Sequence, residues 1–231
     1  MSRFAAILFD LDDTLLDRRG SVERYLTGHA ERARLEPALA TAYQSRFWAL
    51  DENGHAARSD LFAQLSAEFP EVGSAQDLLT DFTTHGFATC EWSDGAEGAL
   101  AWCRATGLRT AIITNGSSAM QRAKLRALGL GERVDTILVS EEEGVSKPSS
   151  VIFHRAADRL GVRPAQCVFI GDNPVAYVDG ARKAGMHDVW MQREFPWPAA
   201  LAAATHSITT LASLQELLSS CRHSRIRTGT A

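Results

Sequence analysis

The sequence predicts a doubly wound α/β fold on a parallel sheet, with a block of helices inserted after the first strand. Three observations predict it. First, short apolar runs recur: Ala6 to Phe9, Arg109 to Ile113, Thr136 to Val139, Cys167 to Ile170 and Asp188 to Met191. Runs of this length match strands buried on both faces. Second, stretches with helical spacing separate the later runs. These are Gly95 to Thr106, Ser117 to Leu128, Val151 to Leu160 and Val175 to Ala184. Strands alternating with helices imply a parallel sheet with helical crossovers. Third, the region from Asp17 to Glu91 has no strand run and is rich in Ala, Leu, Glu and Arg.

That region contains helical patterns from Val22 to Leu35 and from Ala38 to Leu50, punctuated by Asn53-Gly54 and Pro70. It reads as about four helices, because a structureless loop of that length is implausible in a compact domain. The expected organisation is a core of residues 1–16 and 92–218, a helical insertion of 17–91 and a disordered polar, basic tail of 219–231. The core sheet should hold about five parallel strands.

Composition sets the class. The chain has 231 residues, 45% hydrophobic and 23% charged, enough for a full core without staples. Cys90, Cys103, Cys167 and Cys221 are scattered, with no C-x-x-C, so reduced buried thiols are expected rather than zinc ligands or disulfides. A net charge of −4 predicts no nucleic-acid partner and no attraction to anionic membranes. The opening apolar run is too short for a signal peptide or a membrane span, so a cytoplasmic location is expected. Nothing in the sequence speaks to oligomeric state.

The acids fall where chemistry belongs. Ligands of open α/β sheets bind outside the carboxyl ends of the strands. Asp10 and Asp12 follow the first run, Thr114-Asn115-Gly116 ends the second and Gly171-Asp172 ends the fourth. Lys147-Pro148 stands where a helix is expected to start, with Pro at its first position. Three carboxylates, Asp10, Asp12 and Asp172, suit Mg²⁺, which takes oxygen ligands and keeps waters. Lys147, Thr114, Asn115 and backbone N–H groups suit a phosphate dianion. A carboxylate can act as a nucleophile toward phosphorus, and an acid two residues away can handle the proton.

Asp10-x-Asp12-x-Thr14, Thr114-Asn115-Gly116, Lys147-Pro148 and Gly171-Asp172 resemble, in order, the four motifs of the haloacid dehalogenase-like superfamily. The stretches Ile112 to Gly116 and Val139 to Pro148 look like its pyrimidine 5′-nucleotidase subgroup, close to phosphoglycolate phosphatase-like members. The insertion looks like the family's C1-type cap, a helical bundle that closes over the site. The resemblance implies a Rossmann-like core and a Mg²⁺-dependent phosphatase acting on a small phosphorylated metabolite through an aspartyl-phosphate. Asp10 would attack phosphorus. Asp12 would be general acid and base, with its backbone carbonyl on Mg²⁺. Thr14 would brace the loop. Thr114, Asn115, Gly116 and Lys147 would hold phosphoryl oxygens, and Asp172 would ligate Mg²⁺ with Asp10. The superfamily's dehalogenases lack the acid at the place of Asp12, so phosphate chemistry is expected over carbon–halogen cleavage.

One position departs from the pattern. After Gly171-Asp172-Asn173-Pro174-Val175 the subgroup has Asn-Asp, and this chain has Ala176-Tyr177. Asp179 lies about 200° around an α-helix from position 177 and is a poor substitute. A weakened Mg²⁺ site is one consequence; a Tyr177 hydroxyl contact or simple filling is another. Two rival functions stay open: phosphoryl transfer as in a mutase, and a non-catalytic binding protein on a degenerate scaffold.

Other residues carry plainer expectations. Asp13 should point away from Asp12 in a surface or capping role. Ser117 and Ser118 should cap a helix. Glu141 to Glu143 should form a solvated acidic turn. Arg18 and Arg19 are a solvated pair or meet an anionic substrate. Of Phe47, Trp48 and Trp92, at least two should be core. Trp197 should anchor a loop.

Overall fold

A computed structural model describes residues 4–223. The chain divides into two compact units, Met1–Asp17 with Glu91–Ala231, and Arg18–Cys90. Among the described residues, no helix is long and apolar enough to cross a membrane.

Six strands form the sheet of the first unit: β1 Ala6–Phe9, β2 Arg109–Thr114, β3 Thr136–Val139, β4 Cys167–Gly171, β5 His187–Met191 and β6 His206–Ile208. Their order is β3-β2-β1-β4-β5-β6 and every neighbouring pair is parallel. The apolar runs locate the first five. The sixth corrects the expected number. It has three residues, His206, Ser207 and Ile208, so it offers no apolar run, and it sits at the sheet edge where one neighbour suffices.

The second unit contains helices α1 Arg18–Arg32, α2 Pro37–Asp51, α3 Arg58–Glu68 and α4 Ala75–His85. Pro37 opens α2, and Ser74 and Asp77 close a reciprocal capping box at α4. Tyr43, Phe47, Phe62 and Phe82 are buried at its centre, with Phe62 and Phe82 rings 5.5 Å apart. Phe47 is the only one of the three singled-out aromatics that is core. Trp48 is half-buried, with the Arg19 guanidinium 5.0 Å from its ring centroid. Trp92, in the first unit, is also half-buried, with Arg133 at 5.3 Å. Arg18 is no solvated residue: it is buried and donates to both oxygens of Asp51 at 2.7 and 2.8 Å.

Helices of the first unit are α5 Ala96–Ala105, α6 Ser118–Ala127, α7 Ser140–Glu143, α8 Ser150–Leu160, α9 Gly180–Lys183 and α10 Leu214–His223. The helix expected over Val175 to Ala184 is broken in two. Pro174–Asp179 winds as a wide π-type turn before α9, capped by Asn173, whose Oδ1 accepts from the backbone of Val175 and Ala176. Residues 219–223, expected in the irregular tail, continue α10, and the rest of that tail lies outside the described residues. Pro148 does not open a helix: Ser149 is the N-cap of α8, its hydroxyl accepting from Val151 N, and the Lys147–Pro148 peptide is cis. Cys90, Cys103 and Cys167 are free thiols. The Trp197 ring packs 5.1 Å from that of Trp190, and its Nε1 donates to Leu201 O, anchoring the loop after β5.

Candidate active site

The sheet register brings the motifs to one level. Phe9 pairs with Ile112 of β2 and with Ile170 of β4. The chain therefore delivers Asp10, Thr114 and Asp172 together at the carboxyl end of three adjacent strands. The topology reverses here, since β1 lies between β2 and β4, and such a switch point opens a crevice. Asp10 N donates to Ile170 O at 2.8 Å. The loop beyond turns tightly, with Leu11 O accepting from the backbone of Thr14, Leu15 and Leu16. Asp13 takes the left-handed conformation at φ 55°, which Asp tolerates.

Lys147 is buried and reaches the end of β1. Its Nζ donates to Asp10 Oδ1, and to Ile113 O at 2.7 Å. The ammonium also lies 3.6 Å from the Tyr177 ring centroid and 5.6 Å from that of Phe169. Asn115 fixes the backbone beneath it. Asn115 Nδ2 donates to Lys147 O and Lys147 N donates to Asn115 Oδ1, both at 2.9 Å. One N–H of the Asn115 amide and its oxygen are thus engaged by the Lys147 backbone.

Asp12 is the third charged element. Both of its oxygens accept from Lys124 Nζ at 2.8 Å, and Oδ2 also accepts from Gln121 Nε2 at 3.0 Å. Gln121 Nε2 donates as well to the Thr114 hydroxyl. Sequence reasoning missed both residues. A signal existed: Gln121 and Lys124 occupy the helical stripe that also holds Leu125 and Leu128, so two polar residues sit on a buried face.

Burial governs the electrostatics. It pushes the Asp10 carboxyl above the usual range, against the pull of Lys147. It pushes Lys147 down, against the pull of Asp10. Asp172 is held well above its ordinary value of 3.8, first by burial and then by the charges of Asp10 and Asp13. Asp10 Oδ2 is buried with no hydrogen-bond partner. Two buried carboxylates that disfavour each other's charge, one with an orphaned oxygen, suit a hard cation. Among the described residues no three His, Cys, Asp or Glu side chains are grouped to hold a metal. Mg²⁺ does not require such a cage, because it binds through one or two carboxylates and keeps waters. The Asp12 carboxylate is bonded by Lys124 and Gln121, whereas those of Asp10 and Asp172 bear on each other's charge.

Residues 4–185 match the family model described as haloacid dehalogenase-like hydrolase. The chain belongs to the haloacid dehalogenase-like hydrolase family. It is 30% identical to phosphoserine phosphatase of Thermus thermophilus, over 81% of this chain and 88% of that one. It is 31% identical to glyceraldehyde 3-phosphate phosphatase of Methanopyrus kandleri, over 81% and 84%. A dehalogenase of Pseudomonas is also similar, at 29% identity. The fold matches the HAD-hydrolase YfnB of Bacillus subtilis, solved bound to magnesium, with a TM-score of 0.76, 25% identity, and 94% and 99% of the two chains covered. With such phosphatases as relatives, this family member is an enzyme of phosphatase type.

In this haloacid dehalogenase-like hydrolase the remaining motif residues take distinct places. Thr14 is buried beneath the loop, and its hydroxyl has no hydrogen-bond partner, so the loop is braced by Leu11 O. Gly116 has φ 140° and its N–H donates to Ser140 Oγ at 3.0 Å. A Cβ at Gly116 would come within 3.1 Å of the Gln121 side chain. The acidic turn is structural rather than merely solvated. Glu141 Oε2 accepts from Ser118 N at 2.7 Å, capping α6 in place of the Ser117 side chain, which makes no capping bond. Glu142 pairs with Arg122, and Glu143 with Arg155 and Arg159. Asp13 O accepts from Arg193 Nε at 3.2 Å. Asp179 is paired with Lys183 at 2.7 Å.

Proposed function

We propose that this phosphatase hydrolyses a small phosphomonoester through an aspartyl-phosphate on Asp10. One observation carries the reading: Asp10 is buried with one oxygen on Lys147 and the other without a partner, while Asp12, two residues on, is held separately. A nucleophile and a proton carrier are thus provided by one loop. In the first step Asp10 attacks phosphorus, the bond to the leaving oxygen breaks with its electron pair, and that oxygen takes the proton of Asp12. In the second step water attacks the phosphoryl group, Asp12 takes a proton from the water, and the bond to Asp10 breaks to release phosphate. Lys147 neutralises phosphoryl charge, and Thr114 lies beside it with its hydroxyl oriented by Gln121. Asp10 and Asp172, with the Asp12 carbonyl, would hold Mg²⁺, which when bound supplies positive charge against the phosphoryl oxygens. The acid at Asp12 favours phosphate over carbon–halogen cleavage, where no leaving oxygen needs a proton.

The substrate class is a small phosphorylated metabolite, with nucleoside monophosphates and phosphoglycolate-like compounds leading. The relatives act on phosphoserine and glyceraldehyde 3-phosphate by name, which supports small esters of this size. A phosphate-release screen over a metabolite panel, with and without Mg²⁺, tests the reading. Release is expected with Mg²⁺ and should fall about a thousandfold or more in Asp10→Asn. Activity unchanged in that variant would overturn the mechanism.

A further inference from the structure

Gln121 and Lys124 lie outside the four motifs, yet they are only 2% and 6% exposed. An ammonium and an amide are not buried without bonded partners. Theirs converge on one carboxylate. Lys124 Nζ donates to Asp12 Oδ1, Asp12 Oδ2 and Gln121 Oε1, each at 2.8 Å. Gln121 Nε2 donates to Asp12 Oδ2 and to the Thr114 hydroxyl, linking the first loop to the end of β2. One helical turn of α6 therefore sets the direction of the Asp12 side chain.

We propose that Gln121 and Lys124 are positioning residues that aim Asp12 at the leaving oxygen and receive the charge that grows on it as its proton departs. This rests on the reading of Asp12 as the proton carrier. When the phosphorus–oxygen bond breaks, the electron pair goes to the leaving oxygen, the proton moves to that oxygen, and Asp12 becomes a carboxylate. The observed contacts are those of that carboxylate. An ammonium already in place stabilises it without reorganisation at the moment of reaction.

The benefit depends on the leaving group. A departing alkoxide is a strong base and needs the proton, whereas nitrophenolate is a weak base and leaves without it. A pair that only supported the fold, or a lysine that only bound phosphate, would serve both alike.

The test compares kcat/KM, which covers all steps through departure of the leaving group, for 4-nitrophenyl phosphate and for the aliphatic phosphate turned over best in the screen. The variants are Lys124→Met, Lys124→Arg, Gln121→Met and Asp12→Asn, each with a circular dichroism spectrum matching the parent enzyme. Lys124→Met should lose about tenfold or more on the aliphatic ester beyond its loss on the aryl ester, following the larger split of Asp12→Asn. Lys124→Arg should restore part of that difference, and Gln121→Met should show it in smaller degree. Equal losses on the two esters in Lys124→Met, with the split retained in Asp12→Asn, would overturn the inference alone. No split in Asp12→Asn, or no phosphate release by the parent enzyme from any ester, would overturn the reading of Asp12 and the inference with it.

Discussion

The ammonium of Lys147 lies 3.6 Å from the centroid of the Tyr177 ring. At this position the motif pattern calls for an acid. A ring attracts the cation through its quadrupole, but it adds no negative charge to a site that already holds Asp10, Asp12 and Asp172. The lysine is thus seated while one carboxylate is left out.

Tyr177 variants separate the two consequences. Tyr177→Leu removes an attraction worth about 1–2 kcal/mol in a desolvated site, so kcat/KM should fall about tenfold, while Tyr177→Phe retains most activity. Tyr177→Asp should tighten apparent Mg²⁺ affinity about tenfold, as restoring an outer ligand does. Titration of activity against Mg²⁺ reads both, and an unchanged Mg²⁺ midpoint in Tyr177→Asp would retire the idea that position 177 limits the metal.

Asp172 should cost stability when metal is absent. Its folded value lies above its ordinary value of 3.8, so the native state binds more protons than the unfolded chain across that window. Stability contributed by this group is therefore full below 3.8 and lost as pH rises through the raised value. At neutral pH, Asp172→Asn should stabilise the chelator-treated protein by about 1–2 kcal/mol while losing activity. Added Mg²⁺ should reverse the ranking by stabilising the parent and not the variant. Thermal melts in chelator and in Mg²⁺ check this, and a parent more stable than Asp172→Asn in chelator would contradict it.

Asp51 anchors the inserted unit. It is fully buried and accepts from Arg18 and Arg58, each at 2.7 Å. Asp51→Ala strips buried Arg18 of this carboxylate and should cost about 3–5 kcal/mol. Replacing both, as Arg18→Met with Asp51→Leu, should cost less than Asp51→Ala alone, because the buried Arg18 charge is then gone and Arg58, which reaches solvent, is the one cation that loses Asp51. Urea denaturation of the two proteins reads the difference.

The core strands were legible because each is a buried apolar run, and the register that aligns Asp10, Thr114 and Asp172 follows from their ends. β6 was not legible, because an edge strand of three residues needs neither length nor an apolar run. Around Asp179 the chain winds as a π-type turn, so the 100° step of an α-helix does not apply there. The pairing of the Asn115 amide with the backbone of Lys147, 32 residues away, was not legible either, because it joins two separate loops.

By itself the sequence determined the α/β class, the helical insertion and the order of the reactive residues, because burial patterns and motif spacing are local properties of the chain. Only the tertiary structure decided which partner each reactive side chain keeps. Lys147 met Tyr177 rather than an acid, Asp12 met Lys124 and Gln121 more than a hundred residues away, and Asp10 kept one oxygen orphaned. Such pairings depend on where separate strands and helices converge, and on buried polar groups requiring partners that no local pattern names.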